Sequence, residues 1–527
     1  MRRRHFLAAA TAGLALPSVV RAASATTLRF IPQIDLAFLD PHWTTANVTR
    51  GHGYMVFDTL YGQDSTFTPQ PQMLEGHVVD ADGKLWTLTL REGLMWHDGT
   101  KVLARDCVAS IKRWAKRDAF GGALMAATDE LSAPDDKTIR FRLNKPFPLL
   151  PAALSKPTTP SPLMMPERLA NTDPFKQVTE MVGSGPFRFL AEERVPGARN
   201  VYAKFDKYVP RPDGPLAWTS GPKVAYYERV EWTTMPDAGT KVAALQAGEQ
   251  DWWENPTADL LPLLAKDRAI TVAVTNPTGA TNMVRPNHLQ PPFDKPAVRQ
   301  AMFSVIDQSA MMEAIVGNDP AMYHVPHGVF CPNTAMATEA GLDPLRGPRD
   351  YGKAKELLKR AGYAGEKVVM LVATDYTQFK AICDVLADSM SQAGMNVDYV
   401  ATDWGTMLQR RNNRGPMDQG GWNLFATGWE GVDQMNPSNH YAIRGNGNDP
   451  SAWPGWCVSA KLEELRNAWF DAPTLAAQKA VCEQIQLQCM VDVPSMPVGQ
   501  YVQKTAYRKN VTGVLQGFST FWNVRPA

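Results

Sequence analysis

The amino-acid sequence predicts an α/β protein with several domains. The chain has 527 residues, and a domain usually takes about 100–200 residues, which suggests roughly two to four domains. Strand-like and helix-like patterns alternate along the chain, with no internal repeat or low-complexity segment between them. Interleaved strands and helices of this kind are typical of α/β folds.

The first third of the chain contains two predicted strands and a helix between them. Large apolar side chains occupy every second position over residues 86–90 and again over 139–143, the pattern of a half-buried strand. Between them, Val108, Ile111 and Ala115 recur at helical spacing. We therefore expect a strand, a helix and a second strand in this region.

Further helices are predicted in the second half. A long helix is expected over about 294–317, because Pro296 suits a first turn and an apolar stripe follows over 298–306. Apolar spacing over 462–469 and over 481–489 predicts two more helices near the C-terminus.

Composition and charge exclude some classes of protein. Hydrophobic residues make up 44% and charged residues 20%, which is too apolar for a disordered chain. Lys plus Arg is 54 and Asp plus Glu is 53, so the overall charge favours neither nucleic acid nor a membrane surface.

The first 25 residues are interpreted as a cleavable export signal. Arg2 to Arg4 form a basic start, residues 6–16 are apolar, and Pro17 and several small residues follow. The arginine pair before Phe6 resembles a twin-arginine signal, and the alternative is an ordinary secretory signal. No later stretch approaches 18 consecutive apolar residues, so we expect a soluble, periplasmic mature chain.

Six cysteines could form disulfides in an oxidising periplasm. Cys482 and Cys489 cannot pair within one helix, since their Cα atoms would lie about 10 Å apart. A Cys457–Cys489 bridge is an expectation if the two C-terminal helices run antiparallel.

The search for catalytic motifs is mostly negative. The sequence has no G-x-x-x-x-G-K-[ST] phosphate loop, no G-x-S-x-G nucleophile elbow and no H-E-x-x-H metal motif. Ser220 and Lys223 form an S-x-x-K pattern, but Gly221-Pro222 between them indicates a turn. His324 and His327 flank a proline and are interpreted as surface residues. The residues favour binding over chemistry.

Four blocks in the same order carry a resemblance to a known family. They are residues 85–100 (LWTLTLREGLMWHDGT), 183–187 (GSGPF), 292–301 (PFDKPAVRQA) and 353–363 (KAKELLKRAGY). Together they resemble the family-5 extracellular solute-binding proteins, the peptide- and nickel-binding subunits of ATP-binding-cassette importers. The blocks themselves are interpreted as turns and helix starts, which identify the family without forming its binding site.

The resemblance implies a two-lobed periplasmic binding protein fold of type II that closes on a hinge. The first lobe would combine residues 26–60, 183–275 and 492–527, with an extra domain at 61–182. The second lobe would take residues 276–491. A ligand would be enclosed between the lobes, as small molecules often are at domain interfaces.

The resemblance also suggests where a ligand would be held. Residues 428–437 resemble the family's GWxGDxxDP segment, whose aspartate receives the peptide ammonium in dipeptide-binding members. This chain has one extra residue there, so Asp433 is the best match and Glu430 the alternative. Asn436 replaces the usual aspartate before the proline. The competing interpretation of Asp433 is a solvated acid on a loop.

Other candidate ligand contacts follow from the same alignment. Trp429 and Trp404 would form apolar walls or stack on a cation, although either could instead pack in the core. The remaining candidates are Gly428, Asp40, Trp43 and Asn287. The pair Trp252-Trp253 is interpreted as packing.

The resemblance implies a periplasmic protein that captures a short peptide or peptide-like amine. It would deliver this ligand, as a monomer, to the permease and ATPase subunits of an inner-membrane importer. No enzymatic activity, cofactor, bound metal or nucleic acid is expected. The alternatives are a nickel, metal-chelate or opine binder on the same scaffold, with His324 or His327 reaching a metal, and a secreted hydrolase.

Overall fold

The computed structural model describes residues 26–438, 440–450, 452–472 and 474–527. The export signal predicted at 1–25 lies outside these residues. In the part of the chain that is described, none of the helices combines the length and the apolar character needed to cross a membrane.

The first large sheet has seven strands. In spatial order they are Ile270–Ala273, Thr505–Arg508, Trp252–Trp253, Thr27–Ile31, Arg229–Thr233, Arg199–Lys204 and Phe187–Phe189. Thr27–Ile31 pairs in parallel with both of its neighbours, and the outer pairs are antiparallel. Three helices accompany this sheet: Asn47–Val56, Ala238–Ala247 and Leu261–Lys266. We call this unit the first lobe.

The second large sheet has six strands. In spatial order they are Tyr323–His324, Met496–Tyr501, Ala280–Pro286, Leu424–Glu430, Lys367–Ala373 and Asn396–Thr402. Its helices are Pro296–Ala301, Gln308–Val316, Tyr351–Arg360, Thr377–Gln392, Trp404–Arg410, Ala460–Asp471 and Leu475–Asp492. We call this unit the second lobe. The chain crosses between the two sheets after Ala273 and again after Tyr501.

A third unit is inserted after the first helix and has a sheet of its own. Its four strands are Leu74–Val79, Leu85–Leu90, Thr138–Leu143 and Thr128–Ser132 in spatial order. Its helices are Ala104–Ala115, Ala119–Ala126, Leu150–Ser155 and Glu167–Ala170. Two short strand pairs complete the β-structure: Tyr61–Gln63 with Pro69–Pro71, and Val511–Thr512 with Arg525–Pro526. The short 3-10 helices are Ala191–Glu193, Ala258–Leu260, Met302–Ser304, Pro320–Met322, Asp343–Leu345, Met417–Gln419, Gly431–Gln434 and Tyr441–Ile443.

The short-range predictions agree with these elements in most places. The strands predicted at 86–90 and 139–143 and the helix between them are confirmed. The long helix predicted over 294–317 is wrong, because a 3-10 turn separates two shorter helices there. The Asp307 side chain accepts from the amide of Ala310 and so starts the second helix afresh.

One domain boundary differs from the expected one. The second sheet includes Met496–Tyr501, which pairs with Ala280–Pro286, although residues 492–527 were expected in the first lobe. The chain returns to the first sheet only at Thr505–Arg508. The boundary expected at 492 therefore lies about ten residues too early, since an apolar strand gives no sign of the sheet it joins.

Two further expectations concern buried residues. Trp252 and Trp253 are each 1% exposed and sit in the first sheet, so the packing interpretation is confirmed. All six cysteines are free and buried, and the Cys457–Cys489 bridge is not formed. Cys489 instead packs as a small apolar group among the C-terminal helices, and Cys457 is likewise buried.

Candidate functional site

A narrow cleft between the two lobes contains most of the candidate site. Its first cavity is lined by Gln33, Asn47 and Glu254 from the first lobe and by Tyr376, Gly428, Trp429 and Glu430 from the second. The Tyr376 hydroxyl donates to Gln33 Oε1 at 2.7 Å, which links the lobes directly. The space amounts to about 40 Å³, enough for one or two waters and not for a peptide. A peptide group larger than this can therefore lie between Glu254 and Glu430 only when the lobes move apart there.

The acidic residues of this cavity stand at the ends of strands. Glu430 is the last residue of the strand Leu424–Glu430, and Glu254 directly follows Trp252–Trp253. Each of these strands is paired with adjacent strands of its sheet, so the position of its last residue is fixed. A third carboxylate, Asp433, lies in the 3-10 turn that follows Glu430.

An arginine from the first lobe pairs with two of these carboxylates. Arg50, on the helix Asn47–Val56, donates to Glu430, and its second terminal nitrogen lies 3.7 Å from Asp433 Oδ2. The Arg50 side chain is 1% exposed and covers the ring of Phe518 at 4.2 Å. Burial alone lowers the pKa of Arg50, but the two carboxylates more than offset it and the pKa is raised. Arg50 is therefore a fixed cation across the cleft.

Asp433 is more enclosed than a loop acid would be. It is 4% exposed, and its Oδ2 accepts from the amide of Glu430 at 3.1 Å. Its Oδ1 has no hydrogen-bond partner within the described chain. Burial raises the pKa of Asp433 to about 7, and Arg50 offsets only part of this rise. Asp433 thus stands behind Glu430, next to Arg50.

Glu254 is a member of the site that the sequence did not predict. Its Oε2 accepts from the amide of Gln33 at 2.8 Å. Burial raises the pKa of Glu254 to about 7, and the nearby Glu430 carboxylate acts in the same direction. The available signal was an acid directly after a buried tryptophan pair, at the end of a strand.

The charges around this cavity do not balance. Glu254, Glu430 and Asp433 supply three carboxylates, and Arg50 is the buried cation that pairs with two of them. Lys504 also lines the cavity and is half-buried, whereas Lys156, whose charge acts on Asp433, is bound to Asp118 at 2.5 Å. Burial raises the pKa of all three carboxyl groups, so each carries its charge readily only beside a cation. The cavity is therefore suited to an additional cationic group.

The two candidate tryptophans lie next to the acidic cavity. Trp404 and Trp429 line a narrow continuation of the cleft, and each is less than one-tenth exposed. Trp404 packs on Phe379 with the ring centres 5.5 Å apart, and Trp429 packs on Trp453 at 5.1 Å. Both rings thus contribute to the core and to the cleft wall at once.

Three other candidate residues have partners away from this cavity. Asp40 is fully buried and binds Arg113 through both oxygens, at 2.7 and 3.2 Å. Asn287 donates to the carbonyl of Trp422 at 2.8 Å, and Asn436 accepts from the amide of Ser438 at 3.0 Å. These side chains hold the local backbone or an internal ion pair. Trp43 lines a different cavity, together with Arg117 and Arg411.

The two histidines considered for a metal do not form a cluster. The surface interpretation is confirmed for His324, which is exposed, and is wrong for His327, which is 1% exposed. Burial lowers the pKa of His327 to about 3. Over the described residues, no group of three or more His, Cys, Asp or Glu side chains is arranged to hold a metal ion.

The chain is similar to known proteins over nearly its whole length. The family model described as "Bacterial extracellular solute-binding proteins, family 5 Middle" matches residues 68–451. A protein of Sinorhizobium fredii named "Probable peptide ABC transporter periplasmic-binding protein y4tO" is 37% identical over 100% of this chain and 99% of its own length.

Two solved structures share the fold. One is the periplasmic binding protein DppA of Helicobacter pylori in complex with the peptide STSA, with a TM-score of 0.79, 21% identity, and coverage of 95% of this chain and 98% of that one. The other is AgaA of A. tumefaciens R10 in complex with agropinic acid, with a TM-score of 0.78, 20% identity, and coverage of 95% and 99%. At these identities the likeness concerns the two-lobed fold.

Proposed function

Because the chain belongs to the bacterial extracellular solute-binding proteins of family 5, we propose that it captures a short peptide or peptide-like amine between its lobes. The observation that carries this proposal is the excess of carboxylates over cations in the interlobe cavity. A primary ammonium is the group on a peptide that would complete the charge balance there. The Sinorhizobium relative, which spans the whole chain, is named as a probable peptide binder and supports the same choice.

The ammonium would lie between Glu254 and Glu430, which face the cavity from opposite lobes. Asp433 would not contact the ammonium. It would instead bind Arg50 and accept a hydrogen bond from the amide of Glu430. Of the two acids that the sequence left open, we therefore propose Glu430 for direct contact. Closure of the lobes would exclude water and strengthen each of these polar contacts.

The ligand would then pass to the permease and ATPase subunits of an importer in the inner membrane. We propose that the protein performs no chemistry on it. The protein would act in the periplasm, as the Sinorhizobium relative's name says of that protein.

The test uses calorimetry with trialanine and with N-acetyl-trialanine. Wild-type protein should bind the free amine and lose most of its affinity on acetylation. Glu430→Gln and Glu254→Gln should each weaken binding of trialanine by about tenfold or more, since each removes one partner of a buried charge pair. Acetylation should then cause a much smaller additional loss, because both changes remove the same interaction.

Glu249→Gln is the matched control, since Glu249 is exposed and lies five residues from Glu254. It should bind like the wild type. Equal binding of trialanine and its acetylated form by the wild type would contradict the proposal, and so would unchanged binding in both site variants.

For export, we propose the twin-arginine route. Arg3→Lys together with Arg4→Lys should leave the precursor in the cytoplasm, as judged by fractionation and immunoblotting. An unchanged periplasmic yield would instead favour the general secretory route.

A further inference from the structure

The inserted unit contacts the second lobe at a place outside the acidic cavity. Phe470 lies near the end of the helix Ala460–Asp471 in the second lobe, and its ring centre is 5.6 Å from that of Phe120 and 6.3 Å from that of Phe147. Phe120 and Phe147 belong to the apolar core of the inserted unit, so Phe470 extends this aromatic cluster from the second lobe. None of the three rings is among the described residues that line the acidic cavity.

Two apolar side chains are shared between these units. Leu149, from the inserted unit, and Phe470 each pack against the core of the inserted unit and also against a cluster of the C-terminal helices in the second lobe. That cluster includes Leu462, Leu465 and Trp469. Both shared side chains are only half-buried. The contact is thus apolar but small, as expected of an interface between domains that move relative to each other.

Two polar contacts accompany the apolar ones. The Tyr441 hydroxyl, from the second lobe, donates to the carbonyl of Arg117 in the inserted unit at 2.8 Å. Lys145 of the inserted unit pairs with Asp471 at 2.9 Å, and both side chains are exposed. We use the name clasp for the contacts made by Leu149, Phe470, Tyr441 and the Lys145–Asp471 pair.

The inserted unit is bound more firmly to the first lobe. Asp40 of the first lobe binds Arg113 of the inserted unit through both oxygens, and both side chains are almost completely buried. The buried His42 side chain bonds to the carbonyl of Leu163 at 2.9 Å. Breaking a buried pair is costly because it leaves a charge without its partner, whereas an exposed pair, like the one in the clasp, contributes little. When the lobes separate, we therefore expect the inserted unit to move with the first lobe and the clasp to break.

We propose that the clasp closes the cleft at a second point and sets how long a bound ligand is retained. The inference rests on the proposed function, because a ligand held between the lobes can leave only after they separate. The first point is the Arg50–Glu430 pair at the acidic cavity. Phe470 lines neither that cavity nor the others described along the cleft. It therefore acts on the equilibrium between open and closed forms and not through contact with the ligand.

The first test needs no ligand. Lys145→Cys and Asp471→Cys are combined, and a short bis-maleimide joins the two new thiols, since the native cysteines are all buried. Hydrogen exchange followed by mass spectrometry then reports how readily the cleft opens. The amides of residues 428–434, at and directly behind the acidic cavity, should lose most of their exchange on cross-linking.

Asp129→Cys with Arg142→Cys is the matched control for the cross-link. This exposed pair, 2.8 Å apart, lies within the inserted unit. Its cross-link should leave exchange over residues 428–434 as it is in the unlinked protein. Equal exchange in the two cross-linked proteins would show that the cleft opens while the clasp stays closed, and this result would overturn the inference.

The second test measures the release of trialanine by stopped-flow tryptophan fluorescence. Phe470→Ala should speed release by about tenfold or more and change association much less, because the loss of an aromatic contact at an interface acts mainly on the dissociation rate. Leu475→Ala is the matched control, since Leu475 is exposed on the next helix, and it should release trialanine like the wild type. Unchanged release in Phe470→Ala overturns the clasp.

Failure of the clasp and failure of the proposed function give different results. If the wild type does not bind trialanine, the proposed function is contradicted, whereas hydrogen exchange in the cross-linked proteins still tests the clasp. Thermal unfolding verifies that each variant folds. If Phe470→Ala does not fold, Leu149→Ala removes the other shared side chain, and unchanged release in that variant overturns the inference.

Discussion

The Arg50 guanidinium on the first lobe donates a hydrogen bond to the Glu430 carboxylate on the second. The two residues are 380 positions apart, and the Arg50 side chain is 1% exposed. The pair thus joins the lobes at the place where we propose that a ligand ammonium binds. The cleft is held closed partly by a cation of the protein itself.

Replacing Arg50 should open the cleft as well as destabilise the chain. Arg50→Met leaves Glu430 and Asp433 buried without their cation, and breaking a buried pair in this way costs about 3–5 kcal/mol. We expect a lower midpoint in urea unfolding and a larger radius of gyration for the unliganded protein in small-angle X-ray scattering.

Arg29→Met provides the comparison for that experiment. Arg29 binds Asp251 within the first lobe, through two hydrogen bonds of 2.9 Å. Its loss should lower stability without changing the radius of gyration. If Arg50→Met scatters like the wild type, the pair does not hold the lobes together.

Glu254 should make the stability of the protein fall as the pH rises. Its native pKa of about 7 lies above the usual value of 4.5, so the folded state binds a proton more tightly than the unfolded state does. The stabilisation is complete below about pH 4.5 and is lost as the pH rises through 7. Glu254→Gln keeps the acceptor for the Gln33 amide but cannot ionise.

Urea unfolding at pH 5 and pH 8 measures this effect. The free energy of unfolding of Glu254→Gln, taken relative to that of the wild type, should be higher at pH 8 than at pH 5. The difference should be on the order of 3 kcal/mol at most. Glu249→Gln, at an exposed position, should follow the wild type at both. A constant difference between Glu254→Gln and wild type would show that Glu254 does not titrate in this range.

Glu430 and Asp433 should differ in their effects on binding and on stability. Glu430 lines the acidic cavity, whereas Asp433 contacts Arg50 and a backbone amide behind it. Glu430→Gln should therefore weaken binding of trialanine more than Asp433→Asn does, each measured by calorimetry. A larger loss of affinity in Asp433→Asn than in Glu430→Gln would indicate that Asp433 contacts the ligand ammonium directly.

The sequence predicted the parts of this protein that depend on near neighbours. The apolar alternation at 86–90 is a local pattern, and the strand that it predicts is confirmed. The acidic segment around Glu430 is also a local pattern, and Glu430 lines the cavity between the lobes. Glu254 and Arg50 were missed, because their partners come from distant segments of the chain and the sequence spacing gives no sign of them. Residues that are buried between two lobes can be identified only when both lobes are folded and in contact.

Gly428 illustrates a position that packing and the site both constrain. It lies in the strand Leu424–Glu430 and lines the acidic cavity. A Cβ there would collide with the Asn282 side chain and lie 2.8 Å from the carbonyl oxygen of Thr281, on the neighbouring strand. Since backbone in a sheet cannot retreat without losing its hydrogen bonds, Gly428→Ala should cost about 1–3 kcal/mol in urea unfolding. Gly76→Ala, on a strand where an added Cβ meets nothing within 4 Å, should change stability little. Equal stability of Gly428→Ala and Gly76→Ala would contradict this prediction. It would mean that the two strands can move apart at Gly428 to accommodate the added methyl group.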